Sequence, residues 1–246
     1  MAPTTILITG ANRGLGLGMA KKFLSLPNHT VIAANRDPTH PTSQALSDLP
    51  KGDGSKMVVV KYDAAIEQDA FDVAKQIQEQ GVTHLDIVVA NAAIVKHYPL
   101  VKDAQRSEIL EHYQVNVLGP ITLYQATRDL LQKSPGKPIF AFVGSEAGAR
   151  RRQPAIPNAL YGPTKSVLEW LGVRINAEDE WLNTFVLVPG WAQTDMGHMA
   201  ARIFGFAEPP IKQEDSVNGM YNVLTMATKE KYGGKVVLYN GEVQDY

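Results

Sequence analysis

The chain has 246 residues, of which 44% are hydrophobic and 20% charged, and its formal net charge is −1. This length and apolar content fit one α/β domain with a full core, and the charge gives no indication of a basic surface for nucleic acid or an anionic membrane. The absence of cysteine excludes disulfides, zinc–thiolate sites, iron–sulfur clusters and cysteine nucleophiles, and it fits a reducing, cytoplasmic compartment.

The N-terminal segment, MAPTTILITG, passes directly into an apolar, β-like run. It lacks the basic region and the longer apolar stretch of a secretory signal, and no apolar stretch of the chain approaches the ~20 residues of a membrane span. The six histidines show no metal-ligand spacing. We therefore expect a cytoplasmic protein without a membrane partner or a metal site.

Short β-branched runs alternate with longer helical patterns along the chain. Strands are predicted at residues 5–9 (with Thr4 adjoining), 30–34, 57–62, 85–90, 139–144, 184–188 and 235–239. Helices are predicted near residues 15–26, 67–80, 105–132, 161–178 and 214–228. The strands are almost continuously apolar, which is typical of a sheet covered on both faces. The alternation predicts a Rossmann fold, that is, a doubly wound, mostly parallel, seven-stranded sheet with helices on both faces.

No internal repeat or linker divides the chain, so one domain over residues 1–246 is predicted. The polar segment 37–56 is interpreted as a loop around one short helix. Segment 191–213 has no clear period and is predicted to be a flap over the substrate. Its adaptable sulfur and aromatic side chains suit a bulky apolar or aromatic ligand, but also a subunit contact or ordinary core. These side chains are Trp191, Met196, Met199, Phe204 and Phe206.

The first strand is followed directly by a glycine-rich turn, TGANRGLG, in which Gly10, Gly14 and Gly16 open a helix. Glycines there permit a tight turn and bring backbone amides close to a pyrophosphate at the helix N-terminus. The spacing is G-x-x-x-G-x-G, which differs from the best-known G-x-G-x-x-G fingerprint. The strand before it and the helix after it favour dinucleotide binding over a purely structural turn.

The second predicted strand leads into Asn35 and Arg36, where an NAD-selective protein usually places a carboxylate for the ribose 2′-hydroxyl. Arg13 lies in the glycine-rich turn, and two guanidinium groups at one corner suit a 2′-phosphate. Asp37 is a complication, because a register shift of one or two residues would bring in a carboxylate. NADP(H) is therefore predicted as the cofactor, with NAD(H) as the alternative.

The stretch ALYGPTKSVLEWL places Tyr161 and Lys165 one helical turn apart, with Pro163 between them. Proline is tolerated in a first helical turn, so a helix is predicted to begin near Tyr161. A neighbouring cation lowers the pKa of a phenol from about 10 toward neutrality, which makes Tyr161 a candidate proton donor. The alternative is a tyrosine that begins an amphipathic helix with a surface lysine.

Over essentially its whole length, the chain resembles the short-chain dehydrogenase/reductase family. The motifs follow in that family's order: TGANRGLG, Asp63 after the third strand, NAA (91–93) after the fourth, Asn116 in the next helix, Ser145 after the fifth strand, YGPTK, and PGWAQTDM (189–196) after the sixth. The stretches GVTHLDIVVANAAI and PGWAQTDMG are similar to fungal ketoreductases of the norsolorinic-acid type and to sniffer-like carbonyl reductases. This resemblance implies secondary metabolism, with aromatic polyketide ketones or quinones as substrates.

The resemblance implies a catalytic set of four residues. Tyr161 would be the acid that protonates a carbonyl oxygen as hydride arrives, and Lys165 would lower its pKa and hydrogen-bond the nicotinamide ribose. Ser145 would donate a hydrogen bond to the substrate carbonyl. Asn116 would hold a water that links Lys165 to solvent.

The resemblance also implies a cofactor-binding set. Within it, Asp63 would contact the adenine, Asn91 would support the ribose region and Thr194 would anchor the carboxamide. The full set is Gly10, Asn12, Arg13, Gly14, Leu15, Gly16, Asn35, Arg36, Asp63, Asn91, Ala92, Tyr161, Lys165, Pro189, Gly190 and Thr194.

Three local features leave alternatives open. Ser145 and Tyr161 are separated by a longer loop than is usual in the family, ARRRQPAIPN (149–158), and a longer loop is able to shift one relative to the other. The run of arginines at 150–152 either receives an anionic substrate or is simply solvated. Residues 97–98, a histidine and a tyrosine, either line the substrate pocket or belong to an exposed loop.

The predicted function is that of an NADP(H)-dependent ketoreductase, which moves hydride between nicotinamide and a carbonyl or alcohol carbon of a bulky apolar or aromatic substrate. One alternative is a non-redox enzyme on the same scaffold, catalysing cyclisation, isomerisation or dehydration. Another is an NADP-sensing regulator without chemistry. The resemblance further implies a homodimer or homotetramer, assembled through helices 105–132 and 161–178.

Overall fold

A computed structural model describes residues 3–153 and 155–245 of the chain. Its strands are β1 (Thr4–Thr9), β2 (His29–Asn35), β3 (Lys56–Lys61), β4 (Ile87–Ala90), β5 (Ile139–Val143), β6 (Asn183–Val188), β7 (Val236–Leu238) and β8 (Val243–Gln244). All seven predicted strands are present. Only β8, a two-residue strand at the edge, has no counterpart among the predictions.

Within the described residues the strands form one sheet in the order β3-β2-β1-β4-β5-β6-β7-β8. Every pair from β3 to β7 is parallel, and β8 is antiparallel to β7. The strand order reverses at β1, which pairs with β2 on one side and with β4 on the other. In doubly wound sheets, ligands bind in the crevice at the carboxyl ends of the strands at such a point.

The helices connect successive strands. They are α1 (Gly14–Leu24), α2 (Pro41–Gln44), α3 (Glu67–Glu79), α4 (Arg106–Tyr113), α5 (Gly119–Gln132), α6 (Tyr161–Glu178), α7 (Asp195–Phe204), α8 (Gln213–Met226) and α9 (Lys229–Tyr232). In the part of the chain that the structure describes, none of them combines the length and apolar character needed to cross a bilayer.

The core has two layers, one on each face of the sheet, because successive side chains of a strand point to opposite faces. On β1, Leu7 packs with residues of α3, α5 and α6. Its neighbours Ile6 and Ile8 pack on the other face with residues of α1 and α8. All three are fully buried, and this explains the continuous apolar runs in the sequence.

Two helical predictions differ from the structure. The long helix predicted at 105–132 is divided into α4 and α5 by a π-helical turn at Gln114–Leu118. In segment 191–213, predicted as an irregular flap, the structure has α7. That helix is closed at both ends by local chemistry, since the Thr194 side chain caps its N-terminus and Gly205 follows it with a φ of 75°.

Candidate active site

The glycine-rich turn is a tight cradle at the carboxyl end of β1. Gly10 and Gly14 have φ values of +64° and +53°, a left-handed backbone that side chains other than glycine rarely adopt. A Cβ on Gly16 would overlap the carbonyl oxygen of Gly10, so this position requires glycine for a close backbone approach. The turn leads into α1. Two other residues of the predicted cofactor-binding set lie beside these glycines. Leu15 is partly buried against the core, and Asn12 donates from Nδ2 to Thr42 Oγ1 at 2.7 Å.

Asn91 fixes the turn to the end of β4. Its Nδ2 donates to the carbonyl oxygen of Thr9 at 2.8 Å. The backbone N–H groups of Asn91 and Ala92 both donate to the Thr9 hydroxyl at 2.9 Å. Asn91 therefore supports the cradle from below, together with Thr9, the first residue of the TGANRGLG motif, for which the sequence predicted no role of its own.

The end of β2 presents an amide and a guanidinium. Asn35 is buried, and its Oδ1 accepts a hydrogen bond from the N–H of Ala11 at 2.8 Å, while its Nδ2 has no partner among the described residues. Arg36 is exposed. Arg13 is also exposed, and its guanidinium lies 4.0 Å from the Asp195 carboxylate at the start of α7.

Asp37 is occupied by a local turn. Its Oδ1 accepts hydrogen bonds from the backbone N–H of Thr39 at 2.8 Å and from the Thr39 hydroxyl at 2.7 Å. These bonds lower the pKa of Asp37, with the side chain of Thr39 as the main cause. One oxygen of the Asp37 carboxylate is thus engaged in a local turn, and the choice between NADP(H) and NAD(H) stays a prediction.

α6 begins at Tyr161, with Pro163 in its first turn, as the sequence predicts. The Lys165 ammonium nitrogen lies 5.4 Å from the centre of the Tyr161 ring and donates to the carbonyl oxygen of Val143 at 2.8 Å. Lys165 is only 3% exposed. The pair therefore stands at the carboxyl end of β5 and is not a surface lysine beside a helix-capping tyrosine.

Burial dominates the protonation of both groups. It raises the pKa of Tyr161 above its ordinary value, the charge of Tyr98 acts in the same direction, and interaction with the Ser145 hydroxyl opposes them. Burial lowers the pKa of Lys165 to about 8. Burial thus acts against the lowering of the Tyr161 pKa that the spacing of Lys165 predicts, and that lowering stays a prediction.

Ser145 lies two residues after the end of β5, and its Oγ accepts a hydrogen bond from the N–H of Ala147 at 3.2 Å. The segment after it packs closely on α6: a Cβ on Gly148 would lie 2.9 Å from the backbone of Lys165, and one on Gly162 would lie 2.7 Å from the Ala147 oxygen. The longer loop 149–158, in which residue 154 lies outside the described residues, therefore leaves Ser145 in reach of Tyr161.

The arginine run in this loop has partners inside the protein. Burial raises the pKa of Glu169 on α6 to about 7, and the charge of Arg150 opposes that rise. Arg152 donates to the side-chain oxygen of Gln244 on β8. These contacts favour the interpretation of a solvated surface run over that of a receptor for an anionic substrate.

Asn116 lies in the π-helical turn, 1% exposed. Its side chain exchanges two hydrogen bonds with the backbone of Ile94, accepting at 2.8 Å and donating at 2.9 Å. Its Nδ2 also contacts the Thr164 hydroxyl at 3.2 Å. The side-chain amide thus ties the segment after β4 to α6, and the extra residue of a π turn is what rotates it into this position.

The flap and the glycine-rich turn lie side by side. Gly190 follows Pro189 with a φ of +71°, and the carbonyl oxygen of Pro189 accepts a hydrogen bond from Ser216 at 2.8 Å. Thr194 Cγ2 lies 3.8 Å from the position a Cβ would take on Gly14. The Thr194 hydroxyl accepts from the N–H of Gly197 at 3.2 Å, so its side chain caps α7.

Two further residues complete the site. At the C-terminal end of the flap, Gln213 donates from Nε2 to the Gly14 carbonyl oxygen at 3.1 Å. No sequence motif predicts this contact. Asp63, after β3, accepts from the N–H of Ala65 at 3.0 Å, and its contact with the adenine stays a prediction. Within the described residues there is no cluster of three or more acidic, histidine or cysteine side chains able to hold a metal ion.

A sequence profile described as short chain dehydrogenase matches residues 4–202. The chain belongs to the short-chain dehydrogenase family. It is therefore an oxidoreductase that uses a nicotinamide cofactor on a small-molecule substrate, and the resemblance seen in its motifs is confirmed.

One relative of known name and two solved structures are similar to this chain over nearly its whole length. The norsolorinic acid ketoreductase of Dothistroma septosporum is 39% identical over 241 residues, which cover 96% of this chain and 90% of that protein. The NADPH-bound carbonyl reductase from chicken fatty liver has a TM-score of 0.85 at 24% identity and covers 100% of this chain and 95% of that one. The carbonyl reductase Sniffer of Drosophila melanogaster has a TM-score of 0.86 at 23% identity, with 99% and 100% covered. These two solved structures confirm the predicted fold class.

Proposed function

We propose that the protein is an NADP(H)-dependent ketoreductase for bulky, aromatic ketones or quinones. The observation that carries the proposal is the pair of half-buried Tyr161 and buried Lys165 at the start of α6, beside Ser145 and at the same edge of the sheet as the glycine cradle. The relative from Dothistroma septosporum, a ketoreductase by name, supports the aromatic ketone. The aromatic and sulfur side chains of the flap at 191–213 support a bulky one.

The residues at the cofactor site fit a dinucleotide. The cradle of Gly10, Gly14 and Gly16 leaves space where a Cβ would intrude, and Asn35 keeps one buried donor unpaired. Residues 10–16 would hold the pyrophosphate. Arg36 and Arg13 would hold a 2′-phosphate, which is the basis for proposing NADP(H) rather than NAD(H).

When bound, the nicotinamide supplies the hydride for the carbonyl carbon. Tyr161 holds a proton at its phenolic oxygen and donates it to the carbonyl oxygen, and burial keeps the proton in place until then. Ser145 donates a hydrogen bond to the same oxygen as negative charge develops. Lys165, with its pKa of about 8, is cationic at neutral pH and stabilises the negative charge of the resulting phenolate.

Asn116 acts as a positioning residue. Because its side-chain amide is used on Ile94 and Thr164, a proton path to solvent would use its backbone carbonyl rather than its side chain. A π turn leaves carbonyl groups outside the regular ladder, and this supports such a role.

Tyr161→Phe tests the proposal. The variant keeps the ring and loses the proton donor, so we expect unchanged NADPH binding and a fall in ketone reduction of at least about 100-fold, the usual contribution of a general acid. NADPH consumption with an aryl ketone and fluorescence titration with NADPH measure the two effects. Tyr113→Phe, on α4, is the matched control. Full turnover by Tyr161→Phe would contradict the assigned acid, and tight NADPH binding by the wild type without reduction of any ketone would favour a non-redox enzyme or a regulator.

A further inference from the structure

A second phenol, that of Tyr98, lies next to the catalytic one. The backbone carbonyl of Pro99 accepts a hydrogen bond from the N–H of Ala159 at 3.2 Å, so residues 98–99 run alongside the segment that leads into Tyr161. The electrostatic effect of Tyr98 on the pKa of Tyr161 agrees with this placement. Tyr98 comes from the loop after β4 and Tyr161 from the start of α6, and the backbone contact brings these two segments together on one side of the site.

The ring of Tyr98 is held from the flap side. It packs edge-on against Phe204, the last residue of α7, with 4.8 Å between the ring centres and 61° between the ring planes. Such aromatic pairs stabilise by ~1 kcal/mol beyond the area they bury. Tyr98 therefore connects the loop after β4 with the flap, whereas its neighbour His97 is exposed and lies 3.4 Å from the Glu108 carboxylate.

The hydroxyl of Tyr98 is available for a ligand. In residues 3–153 and 155–245 it has no hydrogen-bond partner, although a half-buried phenol usually finds one. Burial raises the pKa of Tyr98, as it does that of Tyr161, so both phenols keep their protons at neutral pH. Two neighbouring phenols that both carry a proton match a substrate with two neighbouring acceptor oxygens.

We propose that Tyr98 is a substrate-positioning residue, whose hydroxyl donates a hydrogen bond to a second oxygen of the substrate while Tyr161 serves the reacting carbonyl. The preferred substrates are then flat aryl ketones with another oxygen next to the carbonyl, as in ortho-quinones and 1,2-diketones. This assignment rests on the proposed ketoreductase function and adds to it a reason for substrate choice: a site built to donate two hydrogen bonds disfavours the analogue that lacks one acceptor.

Acenaphthenequinone and acenaphthenone test this role, because the two flat ketones differ by one carbonyl oxygen. For each, kcat/KM with NADPH is compared between the wild type and Tyr98→Phe, so that intrinsic reactivity cancels. Phenylalanine keeps the contact with Phe204 and removes only the hydroxyl. We expect kcat/KM to fall about 5- to 10-fold for the dione, the effect of one hydrogen bond, and to change less than about twofold for the monoketone.

Tyr221→Phe is the matched control. This half-buried tyrosine lies on α8, on the opposite face of the sheet, and its variant should leave both values unchanged. NADPH titration of Tyr98→Phe confirms that the fold and cofactor site are intact. Equal losses for both ketones, or no loss for either, would overturn the role of Tyr98 alone. A wild-type protein that reduces neither ketone would instead overturn the ketoreductase function and this role with it.

Discussion

At the scale of single residues, the segment after β2 shows how local hydrogen bonds affect the cofactor preference predicted from a short motif. Asn35, Arg36 and Asp37 are consecutive in the sequence, and a carboxylate at this corner would select NAD. In the Asx turn of Asp37 with Thr39, one carboxylate oxygen already accepts two hydrogen bonds, which makes it less available to a ribose hydroxyl. Arg36 remains as the exposed charge at the corner.

Arg36→Ala is expected to weaken NADPH binding about 10- to 100-fold, because charge-assisted hydrogen bonds contribute ~1.5–3 kcal/mol each. NADH has no 2′-phosphate, so its dissociation constant should not change. Fluorescence titration with each cofactor measures both. Arg174→Ala, which removes an exposed arginine paired with Glu178 on the far part of α6, is the control. Equal weakening of NADH and NADPH would contradict the assignment.

The pKa of Tyr161 depends on burial as well as on the neighbouring Lys165. From sequence, spacing places Lys165 one turn from Tyr161, and the structure bears out that placement. Spacing carries no information on how deeply the helix is buried, so the burial that raises the pKa of Tyr161 is not predictable from it. Similarly, the contact of Tyr98 with Phe204 joins residues far apart in the chain, and no local pattern predicts it.

At the scale of secondary structure, apolar periodicity accounts for what was predictable. The strands on both sides of β1 and the long helices are buried on defined faces, and the spacing of their apolar residues predicts that burial. α7 was missed because its helical segment is flanked by glycine and proline residues that obscure the period. The division of the helix at 105–132 was missed because a π turn changes the hydrogen bonding without changing the composition.

Lys229 on α9 stabilises the carboxyl end of α6. Its ammonium donates to the carbonyl oxygens of Asn176 at 2.5 Å, Asp179 at 3.1 Å and Leu182 at 2.8 Å, which a helix C-terminus otherwise leaves unpaired. Lys229→Met should lower the free energy of unfolding by about 2–3 kcal/mol. Urea denaturation followed by circular dichroism measures it.

Lys235→Met provides the comparison for this prediction. Lys235 makes a single, exposed contact with the Lys231 carbonyl, so its loss should cost less than about 0.5 kcal/mol. Similar changes in the two variants would show that the three carbonyls of α6 and the following loop are satisfied by water once Lys229 is gone.

At the scale of the whole molecule, apolar side chains remain exposed on neighbouring helices of one face. Trp170 and Val173 on α6 are 65% and 53% exposed, and Leu110 and Leu118, on α4 and in the π-helical turn, are 58% and 52% exposed. The π-helical turn contacts α6 directly. Exposed apolar surface of this kind on adjacent elements marks interaction sites, and it supports a homo-oligomer through the helices predicted for that role.

We propose a homo-oligomer formed through this face, and Trp170→Glu should convert it into monomers, because a two-fold interface would bring two carboxylates into an apolar contact. Light scattering after size-exclusion chromatography measures the mass. Met226→Glu, at a 58% exposed position on α8, is the control on the opposite face and should leave the mass unchanged. A wild-type protein of monomeric mass would refute the proposal.

The contact between Gln213 and Gly14 has a consequence for the sequence of events in a catalytic cycle. Both ends of the flap rest on the glycine-rich turn, one through Thr194 beside Gly14 and the other through the carbonyl oxygen of Gly14 itself. We therefore expect a dinucleotide bound in that turn to lie directly beneath the flap. We further expect ordered kinetics, in which the cofactor binds first and leaves last.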